Sequence, residues 1–374
     1  MLIRAFITHK KAEFFSDCQD RFSISTDTKS IALSDGMSQS IFQKFWAEIL
    51  VEQYTSILDW HPDLSSVRER SSKWRDRVNE YVEQLKKEGR QTWRVERNLS
   101  DGYSAGATFL GVRFDDCNWK CEVLGDSCLV LIRNNQIKRI VSSGSSSDGT
   151  ISFNNYPDYF DSNPLKKGKG NLHREEGSLV KGDAMLLVSD PFSDFLLREK
   201  GTDKEESIIE RLLTISSHEE YEVLVEEYRH DGMHNDDSTL IVIMPDGSCE
   251  LNIEFEDQIV QMIKDEKATL NSTIFEKPHS ISNITSVDPK EEIVKDNSNE
   301  YVKSKNAIQK ENKYSTKIDV NQIFDSELDN NIQVRVFCSL RKYTDELSKK
   351  KLKEITKEIT SEVIFMIHKT LKRK

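Results

Sequence analysis

No run of roughly 18 consecutive apolar residues occurs anywhere in these 374 residues, which rules out a self-sufficient membrane-crossing helix. The opening "MLIRAFITHKK" lacks the apolar stretch of a secretory leader, so a soluble, cytoplasmic protein is expected. A basic excess is missing too. The net charge of -11 argues against a general nucleic-acid binder and against adhesion to an anionic membrane, while it suits cation binding. The six cysteines (Cys18, Cys117, Cys121, Cys128, Cys249, Cys338) include no Cys-x-x-Cys pair, and none has a histidine at zinc-finger spacing. Reduced, mostly buried thiols are expected. With 36% apolar against 31% charged residues, the chain is too polar on average to form one compact globule, so its composition must be uneven.

What is present divides accordingly. "LIRAFIT", "RFSIST", "SIALSDG", "ATFLGVRF", "WKCEVLGDSCLVLIR", "AMLLVSDP" and "STLIVIMP" are apolar or alternating runs bounded by polar turns, the pattern of strands. Between the third and fourth, Phe42, Phe45, Trp46, Ile49 and Leu50, then Trp74, Val78, Tyr81, Val82 and Leu85, recur at helical spacing. Two amphipathic helices on one face of a sheet follow, with Trp46, Trp74 and Trp119 as core. A further helical patch, "KEESIIERLLTISSHEEYEVLVEEYRHDG", precedes the last strand. The Ser-, Gly- and Asn-rich stretch from Ser142 to Asn171, basic at Lys166, Lys167 and Lys169, reads as a long surface excursion.

Residues 1–250 are therefore expected to hold the folded domain, with "CELNIEFEDQIVQMIKDEKATL" able to close it. Residues 251–325 carry a polar, aromatic-poor linker composition, and residues 326–374 a basic helical segment. From Arg335 to Lys374 there are twelve Lys or Arg against five Asp or Glu. Its sparse stripe of Leu352, Ile355, Ile359, Ile367 and Leu371 suits a partner helix, a self-association seam or a solvated tail.

Five carboxylates stand at strand ends: Asp20, Asp35, Asp126, Asp190 and Asp236. Each alone reads as a turn residue. Together they can meet on one rim, where unneutralised like charges would raise one another's pKa values. A hard divalent cation removes that penalty, and oxygen-only donors favour Mg²⁺ or Mn²⁺ over zinc. Gly36, lacking a Cβ, would let its carbonyl approach the same ion. Two ions bridged by one carboxylate, ~4 Å apart, activate water for in-line displacement at phosphorus.

The ordered blocks "QDRF", "ALSDGMSQS", "SAGATFLGV", "VLGDSCLVLIR", "LLVSDPFSD" and "NDDSTLIVI" resemble the successive signature blocks of the metal-dependent protein phosphatases of type 2C, the PPM family, in a divergent, bacterial-like branch. The resemblance spans roughly Met1 to Pro245. It implies an α+β fold, a four-layer α-β-β-α sandwich of two antiparallel sheets flanked by helix pairs, here with a C-terminal helical extension after a polar linker. It implies two Mn²⁺ or Mg²⁺ ions, with a weaker third position, and hydrolysis of phosphoserine and phosphothreonine by metal-activated water. Asp35 would bridge both metals and Gly36 would offer its carbonyl. Asp190 and Asp236 would complete the first metal's shell, Asp20 would hold metal-bound water, and Asp126 with Asp190 would form the weaker third position. Partners would be a phosphorylated protein substrate and an opposing Ser/Thr kinase.

Departures from the pattern are specific. The arginine that usually anchors the substrate phosphate is absent from "AEFFSD", leaving Lys10 or Lys11 as a point charge without a bidentate fork. Gln19 replaces the usual glutamate, Met37 follows the Asp-Gly pair, and Pro191 replaces the glycine after Asp190. The missing arginine supports an alternative, a catalytically impaired pseudophosphatase acting as a regulatory binding module.

Overall fold

The structure, a computed structural model, describes residues 1–58, 60, 67–144, 157–166 and 168–275. Most of the expected linker, the basic segment 326–374 and Lys167 lie outside the described residues. Residues Met1–Thr273 form one compact unit. In chain order the fold runs β1 (Leu2–Thr8), β2 (Arg21–Ser25), β3 (Ser30–Ser34), α1 (Gln43–Ser56), α2 (Val67–Lys87) and α3 (Trp93–Ser100). It continues with β4 (Gly106–Ala107), β5 (Phe109–Asp115), β6 (Asn118–Leu124), β7 (Cys128–Arg133), β8 (Gln136–Val141), β9 (Phe160–Asp161), β10 (His173–Ser178) and β11 (Asp183–Val188). It closes with α4 (Asp190–Glu199), α5 (Glu205–Thr214), α6 (His218–His230), β12 (Ser238–Met244), β13 (Asn252–Glu256) and α7 (Ile259–Phe275).

Two sheets result, ordered β13-β1-β12-β11-β7-β8 and β10-β6-β5-β3-β2, with a small β4-β9 pair. Every pairing is antiparallel except that of β13 with β1. The layering follows from period-two side-chain direction. In β12, Ile241 and Ile243 enter the apolar layer between the sheets, beside Ile31, Leu33, Leu110 and Val112, whereas Leu240 and Val242 face the other way. That outer layer is filled by Phe192 and Phe195 of α4, Ile209 and Leu212 of α5, and Tyr221 and Val225 of α6. On the second sheet, Ala32 and Phe109 turn outward onto Trp46, Leu50 and Tyr54 of α1 and Trp74 and Val78 of α2. Three apolar layers make the four-layer α-β-β-α sandwich. Strands buried on both faces must be apolar throughout, which is why "AMLLV" and "TLIVI" do not alternate.

Trp46, Trp74 and Trp119 are buried, in keeping with their core reading. Among the described residues no helix is long and apolar enough to cross a membrane. The expected boundary at residue 250 falls short of the folded unit, because β13 and α7 continue it. Pro191 is no strand-end turn. It occupies the first turn of α4, where its missing N–H is not needed and its fixed φ suits a helix start.

The β13 end is tied inward by Asp257. Its Oδ2 accepts the Ile7 N–H at 2.9 Å and faces His218 Nδ1 at 3.0 Å, while His218 Nε2 lies 3.3 Å from Glu222 Oε1. Both ring nitrogens thus face carboxylates. Burial alone would lower the His218 pKa, but the bonds to Asp257 and Glu222 outweigh it and raise it from 6.5 to about 10. A pKa raised on folding contributes stability that is full below pH 6.5 and is lost as pH rises through about 10. Chemical denaturation at pH 6 and pH 10.5 should show the wild type losing on the order of 2 kcal/mol more than His218→Gln, the half-exposed Glu222 being screened. Equal losses would remove the imidazolium from this role.

Candidate active site

Both sheets end in carboxylates at the same rim. The chain crosses from one sheet to the other there, between β1 and β2 and between β6 and β7, and these crossings carry Asp20 and Asp126. Asp35 follows β3, Asp190 opens α4 after β11, and Asp236 precedes β12. The five candidates therefore come from two facing sheets, not from neighbouring strands of one.

Asp35 is locked by backbone. Its N–H donates to Thr108 Oγ1 at 3.0 Å, its carbonyl accepts the Thr108 N–H at 2.8 Å, and Ser34 Oγ donates to the Thr108 carbonyl at 2.5 Å. Gly36 bridges Ala107 of β4. A Cβ on Gly36 would lie 2.9 Å from Gln43 Cγ and 3.0 Å from the Gln43 carbonyl carbon. The first turn of α1 therefore already requires a glycine here, independently of any ion.

Asp20 is fully buried; its Oδ2 accepts Thr239 Oγ1–H at 2.7 Å, and its Oδ1 is buried with no hydrogen-bond partner. Burial, then the nearby Asp237 charge, pushes Asp20 up to about 7 against the hydrogen bonds from Thr239 and Ser189. Asp126 also has a buried Oδ1 without a partner. Burial, with the charges of Asp236 and Asp158, pushes it up to about 6. Asp35 is driven well above the carboxylate range by burial and by Asp20, Asp190, Asp126 and Asp236. Asp190 is driven up by burial, Asp126, Asp236 and Asp20, and Lys10 opposes the rise. The five groups are thus electrostatically coupled.

They do not close into a shell. Among the described residues no group of three or more His, Cys, Asp or Glu stands ready to hold a metal ion. The nearest cation is the protein's own, Lys10 Nζ at 2.7 Å from Asp236 Oδ1. Lys11 turns elsewhere, 3.1 Å from Glu226 of α6, so the two lysines are not interchangeable at this rim. The donor set nevertheless fits a hard cation, being all oxygen with two buried lone-pair donors, Asp20 Oδ1 and Asp126 Oδ1, left over.

The sequence reading missed Asp237. Almost fully buried, its carboxylate accepts the N–H of Lys10 at 2.9 Å and of Gln19 at 2.7 Å, pinning the whole β1–β2 crossing to the start of β12. Glu266 of α7 was missed as well; its two oxygens accept the N–H groups of Phe15 and Ser16 at 2.9 and 3.2 Å. Beside the rim lies a cavity of about 330 Å³ lined by Met37, Ser40, Tyr103, Tyr159, Asp161 and Lys166 among others. Here the excursion returns, β9 pairing with β4.

No family model matches the chain, and no curated protein does. Solved structures to which it is similar include PppA, a regulatory component of T6SS in Pseudomonas aeruginosa, at 16% identity over 65% of this chain and 98% of that one, with a TM-score of 0.39. The Mycobacterium tuberculosis serine/threonine phosphatase PstP/Ppp matches at 15% identity over 65% and 97%, TM-score 0.40. The photosystem II phosphatase PBCP matches at 15% identity over 65% and 98%, TM-score 0.42.

Proposed function

We propose that this chain is a metal-dependent serine/threonine protein phosphatase of the type 2C kind, acting in the cytoplasm on phosphoproteins made by an opposing kinase. The observation that carries the reading is the coupling of five buried or half-buried carboxylates, delivered by both sheets to one rim, with two buried oxygens left unpartnered. The order of signature blocks along the sequence supports it.

Asp35, the Gly36 carbonyl, Asp190, Asp236 and Asp126 would hold two Mn²⁺ or Mg²⁺ ions, with a third position at Asp126 and Asp190. Such ions supply Lewis-acid charge on the phosphoryl oxygens and lower the pKa of an attacking water. The chain's own residues do the rest. Asp20, held by Thr239, keeps its free Oδ1 available to orient that water by accepting its proton in a hydrogen bond. Lys10, fixed at its backbone by Asp237, offers an ammonium to the substrate phosphate as a point charge. The cavity lined by Tyr103, Tyr159 and Lys166 would receive the residues flanking the phosphorylated side chain.

The test is hydrolysis of p-nitrophenyl phosphate and of a phosphothreonine peptide with Mn²⁺, Mg²⁺ or EDTA. Metal-dependent turnover abolished by EDTA is expected. Lys10→Ala should lower kcat/KM about tenfold, equivalent to ~1.4 kcal/mol of lost transition-state binding, while Lys11→Ala stays within about twofold. A second reading, the pseudophosphatase, is favoured by the Lys10 ammonium already seated on Asp236. It would be established by a folded protein that turns over neither substrate with either metal.

A further inference from the structure

Of the five cysteines in the described residues, Cys18, Cys121 and Cys128 are buried. The other two are not, and they are neighbours. Cys117 is exposed in the two-residue turn Asp116–Cys117 between β5 and β6, at the end of the second sheet away from the carboxylates. Cys249 is half-buried in the segment that joins β12 to β13, at the same end of the first sheet. Their Sγ atoms lie 3.6 Å apart although 132 residues separate them in sequence. A disulfide needs about 2.05 Å, so side-chain rotation on a turn and a loop has only ~1.5 Å to close, with no strand to move.

We propose that Cys117 and Cys249 are a redox-modification site, forming a reversible disulfide that staples the two sheets together at the end opposite the carboxylate rim. The oxidant class is a small-molecule disulfide such as oxidised glutathione. The more exposed Cys117, as thiolate, attacks one sulfur of the oxidant and expels one glutathione thiolate, giving a mixed disulfide. Cys249, having lost its proton, then attacks the Cys117 sulfur and expels the second glutathione. Two protein thiols lose two electrons and two protons, and one oxidised glutathione becomes two reduced ones. In a reducing compartment the pair stays open, and an oxidising shift closes it.

The staple acts at an edge of the first sheet. Through β13 the Cys249 segment leads to the sheet's edge strand and then to α7, whose Glu266 holds the β1–β2 crossing. Closing a loop of this length constrains the unfolded chain, which should raise Tm by about 5–10 °C for a unit of this size.

The experiment uses the full chain carrying Cys338→Ser, equilibrated across mixtures of reduced and oxidised glutathione. Peptide mapping without reduction should show a cross-linked pair containing residues 117 and 249, two hydrogens lighter than the separate peptides, with the Tm rise reversed by dithiothreitol. Cys117→Ser and Cys249→Ser should each abolish both signals. Glutathione adducts alone, interchain dimers, or a cross-link that leaves Tm unchanged would overturn the proposal.

Discussion

Asp35→Asn and Asp190→Asn should each lower metal-dependent turnover on the order of 10³-fold if the proposed two-metal site operates, because Lewis-acid stabilisation worth several kcal/mol would be lost with a ligand of the ion. The same substitutions should leave the metal-free protein folded and raise its midpoint in denaturant. Both carboxyls are half-buried among like charges, and desolvation together with those charges raises their pKa values, so replacing a carboxylate by a neutral amide relieves repulsion and desolvation at once. Activity and metal-free stability therefore move in opposite directions, a signature that ordinary misfolding does not produce. Turnover and urea midpoints measured on the same preparations check it. Asparagine variants that retain wild-type turnover would remove these residues from metal binding, and variants that lose activity and stability together would reduce the effect to damage.

The seven runs read as strands were legible because the sandwich buries most of them on both faces, which leaves unbroken apolar runs such as "TLIVI", whereas β8, β9 and β10, short or partly exposed, were not read. The helices α1, α2, α5 and α6 were legible through their apolar stripes. The others were hidden for separate reasons. α4 begins in Asp190-Pro191, a pair that reads equally well as a strand-end turn, and α3 is short and touches the core only through half-buried Val95 and Leu99. β13 is exposed or half-buried along its length, so its composition resembles that of the polar stretch beyond it. Of the site, the strand-end carboxylates could be collected from sequence. Asp237 could not be separated from Asp236, since only the register of β12 decides which of two adjacent side chains turns inward. Glu266 reaches a loop about 250 residues earlier, a pairing that no local pattern encodes. The glycine after Asp35 was read for its ion, whereas its tightest constraint is the packing of Gln43.

Trp46→Ala should be the most destabilising substitution in the helical layer, costing about 3–5 kcal/mol and lowering Tm on the order of 10 °C. Trp46 is fully buried on α1 against the second sheet, where truncation leaves a cavity that α1 cannot close without leaving β3. Its indole adds a second function, because Nε1–H donates to the Phe160 carbonyl at 2.9 Å. Phe160 lies in β9, β9 pairs with β4, and Ala107 of β4 bridges Gly36. One hydrogen bond thus connects the helical layer to the backbone beside Asp35. Trp46→Phe keeps most of the volume but loses the donor, so it should cost only about 1–2 kcal/mol. Its turnover should nevertheless fall severalfold, with a higher metal requirement, since the β4–β9 pair is less firmly held at the rim. Urea midpoints and Mn²⁺ titrations of both variants separate the two effects. A Trp46→Phe protein with unchanged metal dependence would confine Trp46 to the core and leave the rim to be positioned by Thr108 and the Gly36–Ala107 bridge.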